Sequence, residues 1–264
     1  MLARGRAASG FQSRITLRRR AGEACRWLAE TMNLYHGDCL EILPTFPPAS
    51  VEAIITDLPY GTTACEWDSI IPLDEMWKQV KRVLKPNGVF VTTSAQPFTS
   101  ALIMSNPSMF KYEWIFEKFQ GTGFLNSKKQ PLRKHENIIV FYENQCTYNP
   151  QRMPSNKKDK SYMQIKPGSS QNYRKLDKAV AYIDDGLRMP TTVLFFYEGD
   201  RNNTMKKEGS RHPTQKPVSL YEYLIRTYTN EGDTVLDFCF GSCTTGVAAK
   251  RTNRNFIGIE KEKK

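Results

Sequence analysis

The stretch TVLDFCFGSCTTGVAAKRTNRNFIGIE, Thr234–Glu260, reads as strand, glycine turn, helix and strand. TVLDF and NFIGIE are short apolar runs, and TTGVAAKRT reads as the helix between them. A strand that returns through a helix to a second strand pairs with it in parallel. Within the stretch, DFCFGSCTTG, Asp237–Gly246, places glycines where backbone can approach a ligand and a helix N-terminus can face it. It is neither a P-loop, lacking the Lys-Ser/Thr pair, nor GxGxxG, since glycines stand only at 241 and 246. Glu260, at the tip of the second strand, is placed to accept hydrogen bonds from ribose hydroxyls. Together the two features suggest an adenosine-containing ligand.

The same alternation runs through the chain from Met32. NLYHGDCLEILPTF gives a strand, an acid in a turn and a helix start, and VEAIIT is a buried strand. LDEMWKQVKRVL is an amphipathic helix with Leu73, Met76, Trp77, Val80, Val83 and Leu84 on one side. KPNG stops it, Gly88 suiting a left-handed cap. VFVTTS, YEWIFEKF and NIIVFYE read as strands, SLYEYLIRTYT as a helix. The fold class is α/β, with a mostly parallel sheet and helices on both faces. Regularity fails from about Glu143 to Arg211, a stretch rich in Lys, Asn, Gln, Ser and Tyr. The expected organisation is one domain built from 32–142 and 211–264, interrupted by an insertion at 143–210.

Net charge is +11 over 264 residues, and its location is informative. Residues 1–31 carry seven Arg and two Glu, hence +5; the rest is therefore +6. Gln151–Lys178 alone holds eight Lys or Arg against Asp159 and Asp177, again +6. Excess charge in one segment suggests a polyanionic partner. Residues 1–31 use Arg without Lys and carry no apolar run of a secretory signal. They read as a basic extension from an upstream start, with Met32 opening the patterned chain, or as a transit peptide. No run approaches the roughly 18 apolar residues of a membrane span, so no membrane partner is expected. The six cysteines form no CxxC pair; they read as free thiols of a cytoplasmic protein, with no metal site.

TDLPYGTT, Thr56–Thr63, follows the strand VEAIIT and places an acid, a proline, a tyrosine and a glycine at its mouth. An amine on an aromatic ring is a poor nucleophile because its lone pair is delocalised. Two acceptors, one for each N–H, draw the nitrogen toward tetrahedral geometry and free that pair. Asp57 offers a carboxylate, and the Leu58 carbonyl offers the second acceptor. Pro59 fixes φ, and Tyr60 supplies a face on which an extruded base can stack, by about 1–3 kcal/mol.

DLPYG resembles the Asp-Pro-Pro-Tyr motif of S-adenosylmethionine-dependent amino-methyltransferases of DNA. DFCFGSCTTG resembles their cofactor motif, and RHPTQKPVSL, Arg211–Leu220, resembles the His-Pro-Thr-Gln-Lys-Pro motif that precedes it. The catalytic motif precedes the cofactor motif, with a polar insertion between, as in the permuted β group of that family. The resemblance covers nearly all of 32–264. It implies a Rossmann-like methyltransferase sheet, S-adenosylmethionine as cofactor and double-stranded DNA as partner.

Carried over, Asp57 and the Leu58 carbonyl hold the target amine, with Pro59 and Tyr60 completing the catalytic turn. Asp237, Gly241, Ser242, Thr244 and Thr245 line the cofactor's amino-acid end, with Thr214 and Lys216 nearby. Glu260 takes the ribose hydroxyls and Asp38 the adenine amine. His135 and Glu136 fall where the family has a similar pair near the target base. The insertion takes the place of target recognition, where Lys157, Lys158, Lys160, Lys166 and Arg174 are candidate DNA contacts. Adenine N6 is favoured over cytosine N4, because cytosine enzymes more often begin the tetrapeptide with Ser. The resemblance leaves room for a restriction endonuclease partner; oligomeric state stays open.

Three departures bear on activity. Leu58 replaces a proline, Phe238 and Cys239 replace Pro-Phe, and Cys243 stands where the family usually has glycine. A left-handed backbone there would strain the cofactor turn. With the chain stopping four residues after Glu260, this raises a second reading, a DNA-binding relic without methyl transfer.

Overall fold

The computed structural model describes residues 32–63, 65, 68–154, 163–165, 180–182, 185–196 and 216–262. The basic extension 1–31, Thr214, His212, Lys157, Lys158, Lys160, Lys166 and Arg174 lie outside them.

Among the described residues, twelve strands and five α-helices follow in chain order. The strands are β1 (Met32–His36), β2 (Val51–Asp57), β3 (Leu84–Ser94), β4 (Phe110–Thr122), β5 (Arg133–Phe141), β6 (Met153–Pro154), β7 (Met163–Ile165), β8 (Val180–Tyr182), β9 (Leu187–Arg188), β10 (Val193–Leu194), β11 (Thr234–Asp237) and β12 (Asn255–Glu260). The helices are α1 (Cys39–Ile42), α2 (Leu73–Val83), α3 (Phe98–Ser105), α4 (Val218–Tyr228) and α5 (Thr244–Arg251).

Eight strands form one sheet in the order β1-β12-β11-β2-β3-β5-β4-β10. Within it β5 alone runs against its neighbours; the other pairings are parallel. The central strands are buried on both sides, which is why VEAIIT and VFVTTS are continuous apolar and Thr runs rather than alternating ones. One face packs Ile54, Met76, Trp77, Val80, Phe90, Phe141 and Phe238. The other packs Ile55, Val91, Trp114, Leu224, Tyr228 and Ala249. The methyltransferase-type α/β sheet is therefore as the sequence implies.

Two details differ from the sequence reading. Gly88 does not cap α2 in the left-handed region. The helix ends at Val83, and β3 starts at once with Leu84. Val51 pairs with Leu84 but Ala53 with Val89, so Lys85–Gly88 bulges from the ladder. A Cβ on Gly88 would lie 2.9 Å from both Leu84 Cδ2 and the Lys85 carbonyl, so close approach is what requires glycine there. The second difference is α3, which carries apolar residues around most of its surface and so shows little helical period.

Pro150–Thr191 forms a second compact unit. Within it β6 pairs with β9 and β7 with β8, each antiparallel. The Arg152 guanidinium grips the Asp185 carboxylate through two hydrogen bonds of 2.6 and 2.7 Å.

Candidate active site

Strand order creates the site. From β11 the chain crosses outward through α5 to β12, and from β2 it crosses through α2 to β3 on the opposite side. The crevice beyond the carboxyl ends of β11 and β2 is thus a topological switch point, where open α/β sheets bind ligands. Ile54 pairs with Leu236, so the turns after Asp57 and Asp237 open side by side. Thr56 ties them together, its hydroxyl donating to Asp237 Oδ1 at 2.7 Å.

At the end of β2, Asp57 has both oxygens engaged. Lys216 Nζ lies 2.7 Å from Oδ2, while Tyr60 donates its hydroxyl to Oδ1 at 2.8 Å and Thr93 donates to the same oxygen. Burial raises the Asp57 pKa, but the Lys216 charge and these hydrogen bonds outweigh it and hold the carboxyl below its ordinary value. Lys216 is also 3.2 Å from Glu136 Oε2 on β5, and Lys118 is 3.4 Å from Glu136 Oε1. Burial disfavours the Lys216 charge; Asp57 and Glu136 more than restore it and raise its pKa. Among the described residues Glu136 Oε2 receives no aligned hydrogen bond, so charge alone holds it to the ammonium.

Tyr60 is half-buried. Its ring packs on Phe98 of α3 with centroids 5.7 Å apart and planes 24° from parallel. Lys216 Nζ stands 5.8 Å from its ring centroid. Burial, then the charges of Asp57 and Glu136, push the Tyr60 phenol well above its ordinary pKa, so it stays a donor.

Asp68 was not a candidate in the sequence, yet it shapes the turn that follows β2. Its Oδ1 accepts from the amides of Tyr60 and Gly61 at 2.7 and 3.0 Å, and its Oδ2 from those of Thr62 and Thr63 at 2.9 and 2.7 Å. Burial opposes its charge, but these amide bonds win and lower its pKa. Gly61 sits at φ +65°, a conformation that favours glycine.

The glycine turn meets the end of β12. Glu260 Oε2 accepts from the Gly241 amide at 2.6 Å, and Gly241 has φ +49°. The register of β1 with β12 sets His36 against Glu260, and the Gly37 amide donates to the Glu260 carbonyl at 2.9 Å. Asp38 follows; its Oδ1 caps α1 through the Leu40 amide at 2.9 Å, and its Oδ2 lies 3.2 Å from Lys261 Nζ. Asp38 and Glu260, carboxylates from neighbouring strand ends, thus flank the turn. Asp237, by contrast, is buried between β11 and β2, accepting from Thr56, Thr245 and the Cys239 amide. Burial raises its pKa to about 6, helped by the charge of Asp57. Ser242 and Thr244 hydroxyls are 3.0 Å apart. Cys243 has φ +63°, the left-handed conformation anticipated for a glycine position.

The DNA methylase family matches residues 51–264. The chain belongs to the N6/N4 DNA methylase family. The methyltransferase is 29% identical to the Type II methyltransferase M2.DpnII of Streptococcus pneumoniae, over 88% of this chain and 85% of that protein. It is 27% identical to M1.MboII of Moraxella bovis, over 88% and 93%. Among solved structures it resembles the M1.HpyAVI–SAM complex at 26% identity and TM-score 0.56, covering 88% of this chain and 94% of that one. The cytosine-N4-specific PvuII DNA methyltransferase, 20% identical over 88% and 82% with TM-score 0.59, shares the fold. The enzyme is a DNA amino-methyltransferase that uses S-adenosylmethionine. Two half-exposed carboxylates beside a turn of positive-φ glycine suit that cofactor's hydroxyls and amine, which are donors.

Among the described residues no cluster of His, Cys, Asp and Glu could hold a metal ion, and no helix is long and apolar enough to cross a membrane.

Proposed function

We propose that the enzyme methylates N6 of adenine in a specific sequence of double-stranded DNA. The observation that carries this is the ionised Asp57, presented at the switch point next to the cofactor turn. Its charge is secured by Lys216, and its turn is pinned by Asp68. Asp57 Oδ2 and the Leu58 carbonyl accept the two N–H groups of the amine. Lys216 already divides its charge between Asp57 and Glu136; a shift away from Asp57, toward Glu136 and the cofactor's carboxylate, releases Oδ2 for the substrate. Tyr60 stacks on the extruded base.

When bound, S-adenosylmethionine supplies an electrophilic methyl group. Asp57 and the Leu58 carbonyl would hold the amine nitrogen with its lone pair toward that methyl group, and one N–H proton would leave by way of the hydrogen bond to Asp57. In this reading Glu260 and Asp38 hold the cofactor's ribose and adenine. Asp237, Gly241, Ser242, Thr244 and Thr245 shape its amino-acid end, and Thr214 with Lys216 meets its carboxylate. The insertion 143–210, with Lys157, Lys158, Lys160, Lys166 and Arg174, reads the target and grips phosphates. Glu136, from a strand far from both motifs, joins the catalytic group; His135 is exposed next to it.

Methylation-sensitive sequencing of DNA from cells expressing the enzyme tests the reading. It should show N6-methyladenine at one short sequence. N4-methylcytosine at one site instead would establish the alternative base. An unmodified genome would support the relic reading that Cys243 motivates.

A further inference from the structure

The hairpin between β4 and β5 carries its most exposed apolar side chains at the tip. Phe124 and Leu125 are 78% and 97% exposed. Hydrogen bonds organise this tip: Gly123 turns at φ +91°, Phe124–Asn126 forms a single 3-10 turn, and the amides of Asn126, Ser127, Lys129 and Gln130 all donate back within it. From Lys118 to Lys134 the sequence holds five basic residues and no acid. An ordered apolar point in a basic rim is matched to a polyanion that has an apolar interior.

The hairpin's direction places it at the substrate. Asp57 pairs with Thr93, and Thr93 with Ile138, so Ile138 is level with the catalytic carboxylate. Arg133, where β5 pairs with Thr122, lies five residues further out, about 17 Å at strand spacing. Glu136, which shares Lys216 with Asp57, is on that same extension. The tip therefore projects past the catalytic group on the side from which a duplex must present its base.

We propose that Phe124 and Leu125 are a wedge that enters the duplex beside the target base and fills the stack the base has left. This rests on the reading of the chain as a methyltransferase of duplex DNA. Side chains of this kind hold DNA open by replacing lost stacking. Lys128 and Lys129, exposed on the turn, meet the flanking phosphates.

The test uses two short duplexes bearing the sequence that genome sequencing identifies. One is fully paired, and the other lacks the base opposite the target, so that the target is already loosened. With Phe124→Ala and Leu125→Ala combined, methyl transfer to the paired duplex should slow about tenfold or more. On the duplex lacking the opposite base the loss should be about twofold or less, and Phe124→Trp should keep most of the paired-duplex rate. Equal slowing on both duplexes, or none on either, overturns the wedge. So does a change from dimer to monomer in the double variant with both rates kept, which would assign the tip to a second copy of the chain. Wild-type enzyme that modifies neither duplex overturns the underlying reading as well, and is told apart by that shared failure.

Discussion

The Lys216 ammonium lies 2.7 Å from Asp57 Oδ2 although 159 residues separate the two in sequence. That pair joins the chain's third motif to the turn after β2 and keeps the proposed acceptor ionised. Because Asp57 has a lowered pKa, its ionic contribution is present above its unfolded pKa and is lost as pH falls through the folded one.

Replacing Lys216 by Met removes the charge that overcomes burial. Asp57 then loses its ammonium partner and keeps only the Tyr60 and Thr93 hydroxyls, while Glu136 retains Lys118, at a cost on the order of 3 kcal/mol. The acid limb of methyl transfer should move to higher pH, as read from a rate–pH profile. An unmoved limb would mean that Lys216 does not set the ionisation of Asp57.

Asp237 supplies the opposite sign. Its pKa of about 6 exceeds the ordinary carboxylate value, so the folded state favours the protonated form. Its contribution is complete below the unfolded pKa and is lost as pH rises to about 6 and beyond. Urea unfolding of the cofactor-free enzyme should therefore show stability lost between about pH 4 and pH 7 from this group, and Asp237→Asn should flatten that part of the profile.

Asp68→Asn tests the turn. An amide side chain presents a donor where two backbone amides already point, so part of the four-bond cradle is lost. The expected outcome is a fall of about tenfold in kcat, since misplacement near the reacting atoms is costly. Calorimetric affinity for the cofactor should be unchanged, because Asp68 holds only the catalytic turn.

Cys243→Gly relieves a left-handed residue at the start of α5. Stability should rise by about 1 kcal/mol, and cofactor affinity should increase with it. A destabilised variant would show that thiol packing outweighs the backbone term.

Much of this molecule is legible in local pattern. The crossover from β11 to β12 announces itself within Thr234–Glu260, and the buried β2 and the amphipathic α2 each within about a dozen residues. The catalytic turn and Glu260 stand at strand ends, where chemistry is expected. What was hidden depends on partners distant in sequence or on geometry with no side chain to mark it. Asp68 looks like any polar loop residue until four amides converge on it. Gly88 suggested a helix cap, whereas a ladder bulge and crowding by Leu84 set its role. Helix α3 lacks an amphipathic stripe because it carries apolar residues nearly all round, and periodicity cannot report such a helix. Lys216 was readable as a motif residue near a cofactor carboxylate; its contact with Asp57 and Glu136 needed the sheet order.

The most direct measurement is mass spectrometry of nucleosides from plasmid DNA incubated with S-adenosylmethionine and either wild-type enzyme or Asp57→Asn. N6-methyldeoxyadenosine should accumulate with the wild type alone, while the variant still binds the cofactor. Methylation at full rate by the variant, or a product methylated only at another position, would contradict the assignment of Asp57 as acceptor for adenine N6.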